Sequence, residues 1–202
     1  MRNARVRVYL ASKNAGKRRE FQALLAGTGI DLLEFPGYRD VVEGEDDYAE
    51  NAALKARALR EQLDSAGIEA AVLADDSGLE VTALRNRPGV LTAYYGGAEL
   101  SWPQRRGVVL EELARSGAAD RSARFVCHLH YIDEEGVETA AAGAVEGTIA
   151  TRDRGEHGFS FDPIFVYPGT QRTFAEMSEA EKNAVSHRRR AVSALLHELR
   201  QR

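Results

Sequence analysis

The chain is 202 residues long, 44% apolar and 29% charged, with a net charge of −4 and a single cysteine. That length suits one domain, or one domain with two lobes, and can bury a sizeable core unaided. The charge offers no global positive field to nucleic acid or an anionic membrane, one cysteine makes neither an internal disulfide nor a cysteine-rich zinc site, and no apolar run nears the roughly 20 residues that span a bilayer. Met1 to Leu10 is basic but holds no apolar signal core, so a cytoplasmic location is expected.

Arg5 to Ala11 predicts a first strand, and Ser12 to Lys17 a polar turn ahead of a helix with Phe21, Leu24 and Leu25 on one face. Gly27 to Gly29 ends that helix, a strand runs from Leu32 to Phe35, and Glu43 to Asp47 is an acidic loop. A second helix covers about Tyr48 to Ser65. Ala70 to Ala74 is a short apolar strand running into Asp75-Asp76-Ser77-Gly78, read as two acids at a strand end followed by a tight turn. Arg85 to Gly89 is a loop holding Pro88, and a third helix starts near Trp102 and ends near Arg115. Phe125, Cys127, Leu129 and Tyr131 then alternate with other residues at a period of two, the mark of a strand, with Cys127 a buried small hydrophobe. Asp133 to Gly136 turns this run into a second one, Val137 to Ile149, giving a long hairpin. Arg152 to His157 is a polar loop, Phe159 to Tyr167 is aromatic, and the last segment is helical with a Ser178/Glu181 capping box. Mixed helices and strands with no linker predict one α/β domain over residues 1–202 around a central mixed sheet with flanking helices.

Three clusters carry chemistry. The first is Ser12-Lys13-Asn14-Ala15-Gly16-Lys17, a small-residue turn at a helix N-terminus, where free N–H groups and Lys17 favour phosphate; GxxxxGK[ST] is absent. The second is Asp75-Asp76. Adjacent carboxylates repel, and Mg²⁺ is a natural counter-ion because it takes one or two carboxylates plus substrate phosphate. Glu43 or Glu50 is available to complete such a site. The third is Lys182 with His187 to Arg190, a basic cluster in an acidic chain. Lys182 and His187 lie roughly 140° apart on an unbroken helix, so joint service to one ligand requires the helix to restart near Ser186.

In this order the clusters resemble the inosine/xanthosine triphosphate pyrophosphatase family. The resemblance rests on Ser12-x-Asn14-x-Gly16-Lys17, Glu50-Asn51-Ala52-x-x-Lys55-Ala56, LADDSGLEV at Leu73 to Val81, Gly158 to Phe165, Thr173 to Met177 and Glu181-Lys182-Asn183-Ala184-x-Ser186-His187-Arg188. It implies an elongated two-lobed α/β molecule with a cleft between the lobes, a homodimer, and Mg²⁺-dependent hydrolysis of ITP, dITP and XTP to the monophosphate and pyrophosphate. It implies Asp76 as base and metal ligand, and Glu43 as the other acidic ligand. Ser12, Lys13, Asn14, Ala15, Gly16 and Lys17 then hold the triphosphate, and Ser77 contacts substrate. Phe159, Ser160, Phe161 and Asp162 hold the base with Phe159 as stacking ring, while Lys182, His187 and Arg188 supply the remaining contacts. The chain departs from the family pattern at Thr92-Ala93-Tyr94, where Ser-Ala-Arg is usual, and at Phe159-Ser160-Phe161-Asp162, where Phe-Gly-Tyr-Asp is common. Two other readings compete: a pyrimidine nucleotide pyrophosphatase of related architecture, and a nucleotide-binding module without catalysis.

Overall fold

β1 (Val6–Leu10) begins the sheet, and the chain then runs through α1 (Ala15–Leu25), β2 (Ile30–Leu33), α2 (Tyr48–Ser65) and β3 (Ala71–Val81). After β4 (Arg87–Pro88) come α3 (Trp102–Arg115), the long strands β5 (Ser122–Ile132) and β6 (Glu138–Ile149), β7 (Phe165–Tyr167), β8 (Arg172–Thr173), α4 (Glu179–Val185) and α5 (His187–Arg200). This is a computed structural model describing residues 5–202; residues 1–4, the start of the basic Met1–Leu10 stretch, lie outside it. The strand order is β2-β1-β3-β5-β6-β7-β8, with β4 paired to β3. β1 is parallel to β2 and β3, whereas the β3–β4, β6–β7 and β7–β8 pairs are antiparallel, so the sheet is mixed as expected. Among the described residues no helix is long and apolar enough to cross a membrane.

The chain divides into two compact units. The first holds residues up to Asp76, Cys127–Gly143 and Arg188–Arg202; the second holds Ser77–Val126 and Ala144–His187. In the first unit the sheet is covered on both faces. Ala71 and Leu73 of β3 pack with Phe21, Leu24, Val192 and Leu195, while Val72 and Ala74 pack with Ala56, Leu59 and Leu63 of α2. Two apolar faces explain why β3 opens as an unbroken apolar run instead of alternating. Cys127 is buried in the first of these layers, and burial pushes its thiol well above the usual range. The second unit has its own core, in which Leu79, Val81, Val109, Leu113 and Phe125 meet the rings of Phe161, Phe165 and Phe174.

Helices α2 and α3 have the bounds read from the sequence because local caps set them. Asp47 accepts from the N–H groups of Ala49 and Glu50, and Ser101 pairs with Gln104 in a capping box. Such caps contribute about 1 kcal/mol each. The terminal helix breaks where expected: Ser186 is extended at φ −67° and ψ 162°, ending α4, and α5 starts at His187. Several boundaries differ, among them the Arg85–Gly89 loop, whose Arg87 and Pro88 pair with Val81 and Glu80 as β4. β2 comes two residues earlier than Leu32–Phe35, because parallel pairing sets Ile30 opposite Val6 directly after the Gly29 turn. The larger correction concerns Asp75-Asp76-Ser77-Gly78, which is no turn: β3 runs straight through it to Val81. Leu79 and Val81 are fully buried, and their burial carries the strand past the Ser-Gly pair.

Candidate active site

Mid-strand placement decides what the two acids do. Successive side chains of a strand point to opposite faces. Asp75 follows Leu73 onto the α1/α5 face and Asp76 follows Ala74 onto the α2 face. The repulsion expected between neighbours at a strand end is thereby relieved by geometry, and each acid acquires its own cations.

Asp75 is buried, with Lys17 Nζ at 2.9 Å from its Oδ2 and Arg188 Nε at 3.8 Å. Arg188 Nη1 also donates to Glu20 Oε2 at 2.8 Å, so two carboxylates and two cations alternate inside the first unit. Burial alone would push the Asp75 carboxyl up; Lys17, then Arg188 and Lys55, outweigh it and hold the group at about 2. Asp75 therefore stays ionised as an anchor for Lys17 and Arg188.

Asp76 is 5% exposed and faces α2. Lys55 Nζ lies 3.3 Å from Asp76 Oδ1 and 3.2 Å from Glu43 Oε2, so one ammonium sits between two carboxylates. Burial would lower the Lys55 pKa, yet Asp76, Asp75 and Glu43 together raise it. Asn51, one turn before Lys55 on the same buried face, donates to Asp76 Oδ2 at 3.2 Å and to the Gly44 carbonyl at 2.9 Å, and accepts from the Gly44 N–H at 2.7 Å. That amide clasps the acidic loop beside Glu43. Glu50 is exposed in the first turn of α2, where it suits the helix dipole.

Among the described residues no group of three or more His, Cys, Asp or Glu side chains is gathered as a metal cage. The Glu43/Asp76 pair nevertheless fits a hard divalent cation. It supplies two carboxylates, already converges on one positive charge, and leaves the remaining positions to phosphate and water, the arrangement Mg²⁺ favours.

The Ser12–Lys17 segment is partly helix. α1 begins at Ala15, and Asn14 Oδ1 accepts from the N–H groups of Gly16 and Lys17 at 2.9 and 3.1 Å. Two of the amides expected to face phosphate are thus capped by the chain itself. Ser12 Oγ accepts from the Asn14 N–H at 3.2 Å, and Lys13 reaches outward to Asp40 at 3.1 Å.

In the second unit Asp162 organises the aromatic segment. Its Oδ2 accepts from the Phe159 N–H at 2.8 Å and from Lys182 Nζ at 2.6 Å, and Lys182 also lies 4.8 Å over the Phe159 ring. Gly158 is obligatory there: a Cβ would stand 2.2 Å from Asp162 Oδ2. Phe159 is half-buried, whereas Phe161 is fully buried with Trp102 edge-on at 5.7 Å. The Phe161 ring is therefore core packing, although the sequence grouped it with the base-holding residues. His187 is buried in a stack on Phe125 at 4.8 Å, and Ser77 is half-buried in β3. The structure thus places Glu43 with Asp76 and Lys55, and Asp75 with Lys17 and Arg188, in the first unit, and Phe159 to Asp162 with Lys182 and His187 in the second.

The Ham1 family model matches residues 8–198. The chain belongs to the Ham1 family. A dITP/XTP pyrophosphatase of Geobacillus kaustophilus is 43% identical to it over 192 residues, covering 93% of this chain and 91% of the relative. One from Gluconobacter oxydans is 43% identical over 196 residues, covering 95% and 89%. The structure of a HAM1 protein from Coxiella burnetii superposes with a TM-score of 0.86 at 37% identity, covering 98% of this chain and all of that one.

Against this Ham1 background, four residues without an assigned role in the sequence make buried polar contacts: Asn51 and Lys55, which stand in the Glu50–Ala56 motif, and Glu20 and Arg106, which stand in none. Asn51 and Lys55 had a readable signal: polar residues four apart on a helix face otherwise made of Ala52, Ala56, Leu59 and Leu63. Glu20 and Arg106 had none, because their partners are distant in sequence. The Ser160 departure has a measurable cost. Its φ is +58°, the left-handed region that favours glycine. Ser160→Gly is expected to stabilise the protein by about 1 kcal/mol, the cost of a left-handed non-glycine residue less the extra freedom of unfolded glycine. Thermal unfolding should show a midpoint about 2–4 °C higher. The Tyr94 departure points outward, 60% exposed, while neighbouring Thr92 is buried and accepts from the Leu79 N–H at 2.9 Å.

Proposed function

We propose that this Ham1 chain acts as one catalytic domain that hydrolyses the noncanonical purine triphosphates ITP, dITP and XTP to monophosphate and pyrophosphate. The observation that carries the proposal is Asp76, buried beside Lys55 and sharing its ammonium with Glu43. The relatives named dITP/XTP pyrophosphatase support the same chemistry.

Water attacks the α-phosphorus, the bond to the bridging oxygen breaks, and pyrophosphate departs. Asp76 takes the water's proton and passes it to solvent. Glu43 and Asp76 would hold Mg²⁺, which when bound would supply positive charge to the departing pyrophosphate. Lys55 holds both carboxylates close to one another. Lys17, with Ser12, Lys13, Asn14, Ala15 and Gly16, receives the triphosphate, and Asp75, itself paired with Arg188, holds Lys17 in position. Ser77 contacts the nucleotide. Phe159 stacks on the base, with Ser160 and Phe161 shaping its loop and Asp162, Lys182 and His187 fixing the segment. A 6-oxo purine presents an acceptor where adenine presents an amino donor, so a site offering N–H donors rejects adenine. We place the enzyme in the cytoplasm as a homodimer.

The test is a panel of ITP, dITP, XTP and the standard purine and pyrimidine triphosphates, with and without Mg²⁺. Pyrophosphate release from ITP, dITP and XTP but not from the standard triphosphates, GTP included, and only in the presence of metal, is the expected result. Release from pyrimidine triphosphates alone, or binding with no turnover, would sink the proposal.

A further inference from the structure

Arg106 lies on α3, far in sequence from every motif above, and is only 9% exposed. Its Nε donates to Asp153 Oδ2 at 2.8 Å with Nη2 at 2.6 Å from the same oxygen, and its Nη1 donates to the Ser160 carbonyl at 2.9 Å. One rigid guanidinium fork therefore ties together two points seven residues apart, closing the neck of the 153–160 loop. Inside that neck the loop has further anchors: Thr173 Oγ1 donates to the Arg154 carbonyl at 2.8 Å, Arg154 pairs with Glu176 at 3.4 Å, and the Asp162 N–H donates to the Phe159 carbonyl at 3.1 Å, but none of them grips Ser160. The Arg154 N–H donates to Pro163 O, the His157 N–H to Ala175 O and the Phe159 N–H to Asp162. The residue whose carbonyl Arg106 grips is Ser160, the one at φ +58°, directly after Phe159. Released from the grip, Ser160 relaxes toward ordinary φ and swings its neighbour. We infer that Arg106 is a positioning residue for nucleobase recognition: it holds Ser160 in its left-handed conformation and so sets where the Phe159 ring stands. This rests on Phe159 being the base-stacking ring.

The experiment compares wild type with Arg106→Met, Arg106→Lys and Asp153→Asn, reading kcat and KM for ITP and inhibition by inorganic triphosphate, which has no base. Arg106→Met should raise KM for ITP about tenfold, the loss that follows removal of a charged hydrogen bond. kcat should change less than about threefold, and inorganic triphosphate should inhibit as before. Arg106→Lys should recover part of the loss. An unchanged KM, or an equal shift in KM and triphosphate inhibition, overturns the inference. If Arg106→Met does not fold, Asp153→Asn answers with the same directions. Trp102, the sole tryptophan, sits edge-on to Phe161 and gives an independent readout. Its anisotropy in the free protein should fall in Arg106→Met, and an unchanged value counts against the clamp. Wild type hydrolysing ATP as fast as ITP would instead overturn the base-recognition reading, leaving the anisotropy to judge the clamp itself.

Discussion

Asp76→Asn is expected to lose at least about 100-fold in kcat for ITP, the lower scale of general-base effects. Asparagine keeps the shape of aspartate but accepts no proton from water, and its amide NH₂ turns a donor toward a place where Asn51 and Lys55 already donate. The buried ammonium of Lys55 keeps Glu43 at 3.2 Å as counter-ion, so the fold should survive. Pyrophosphate release at saturating Mg²⁺ measures the loss, and an unchanged near-UV spectrum separates chemistry from unfolding. A rate within threefold of wild type, about 0.6 kcal/mol in barrier height, removes Asp76 from the role of base.

Arg188→Met should have the largest effect on stability. Arg188 is 4% exposed and serves two carboxylates, Glu20 at 2.8 Å and Asp75 at 3.8 Å. Breaking a buried pair by removing one partner leaves an uncompensated charge and costs about 3–5 kcal/mol. For a chain of this size the thermal midpoint should drop by roughly 10 °C. The deficit should depend on pH. The Asp75 carboxyl is held at about 2, below its ordinary 3.8, so the stability it contributes is complete above 3.8 and lost as pH falls toward 2. In the variant less opposes the upward push of burial. The gap between wild type and variant should be widest near neutrality and shrink through that acid window. Melting curves at a series of pH values check this; a gap of constant size would show that lost packing against Phe21, not lost charge, is responsible.

How much of this was legible differs from element to element. The bounds of α2 and α3 could be read because Asp47 and the Ser101/Gln104 pair act within four residues of the helices they start. The break at Ser186 could be anticipated because Lys182 and His187 cannot share one face of a straight helix. The course of β3 through Ser77-Gly78 could not, since local turn preference lost to the burial of Leu79 and Val81 among residues remote in sequence. The Phe161 ring looked like a ligand contact only because it sits inside a motif; its burial against Trp102 is a tertiary fact.

The sequence by itself determined the family and the reaction class and singled out Asp76 as the candidate base, because spaced motifs of Asp, Lys, Asn and His narrow the chemistry wherever the chain goes. Only the tertiary structure decided that Asp75 and Asp76 are not one site. Strand alternation sends them to opposite faces, where Lys17 and Arg188 anchor one while Lys55, Asn51 and Glu43 surround the other. Those partners come from α1, α5, α2 and the acidic loop. Charge pairing across such separations depends on which helix packs on which face of the sheet, and no local pattern encodes that.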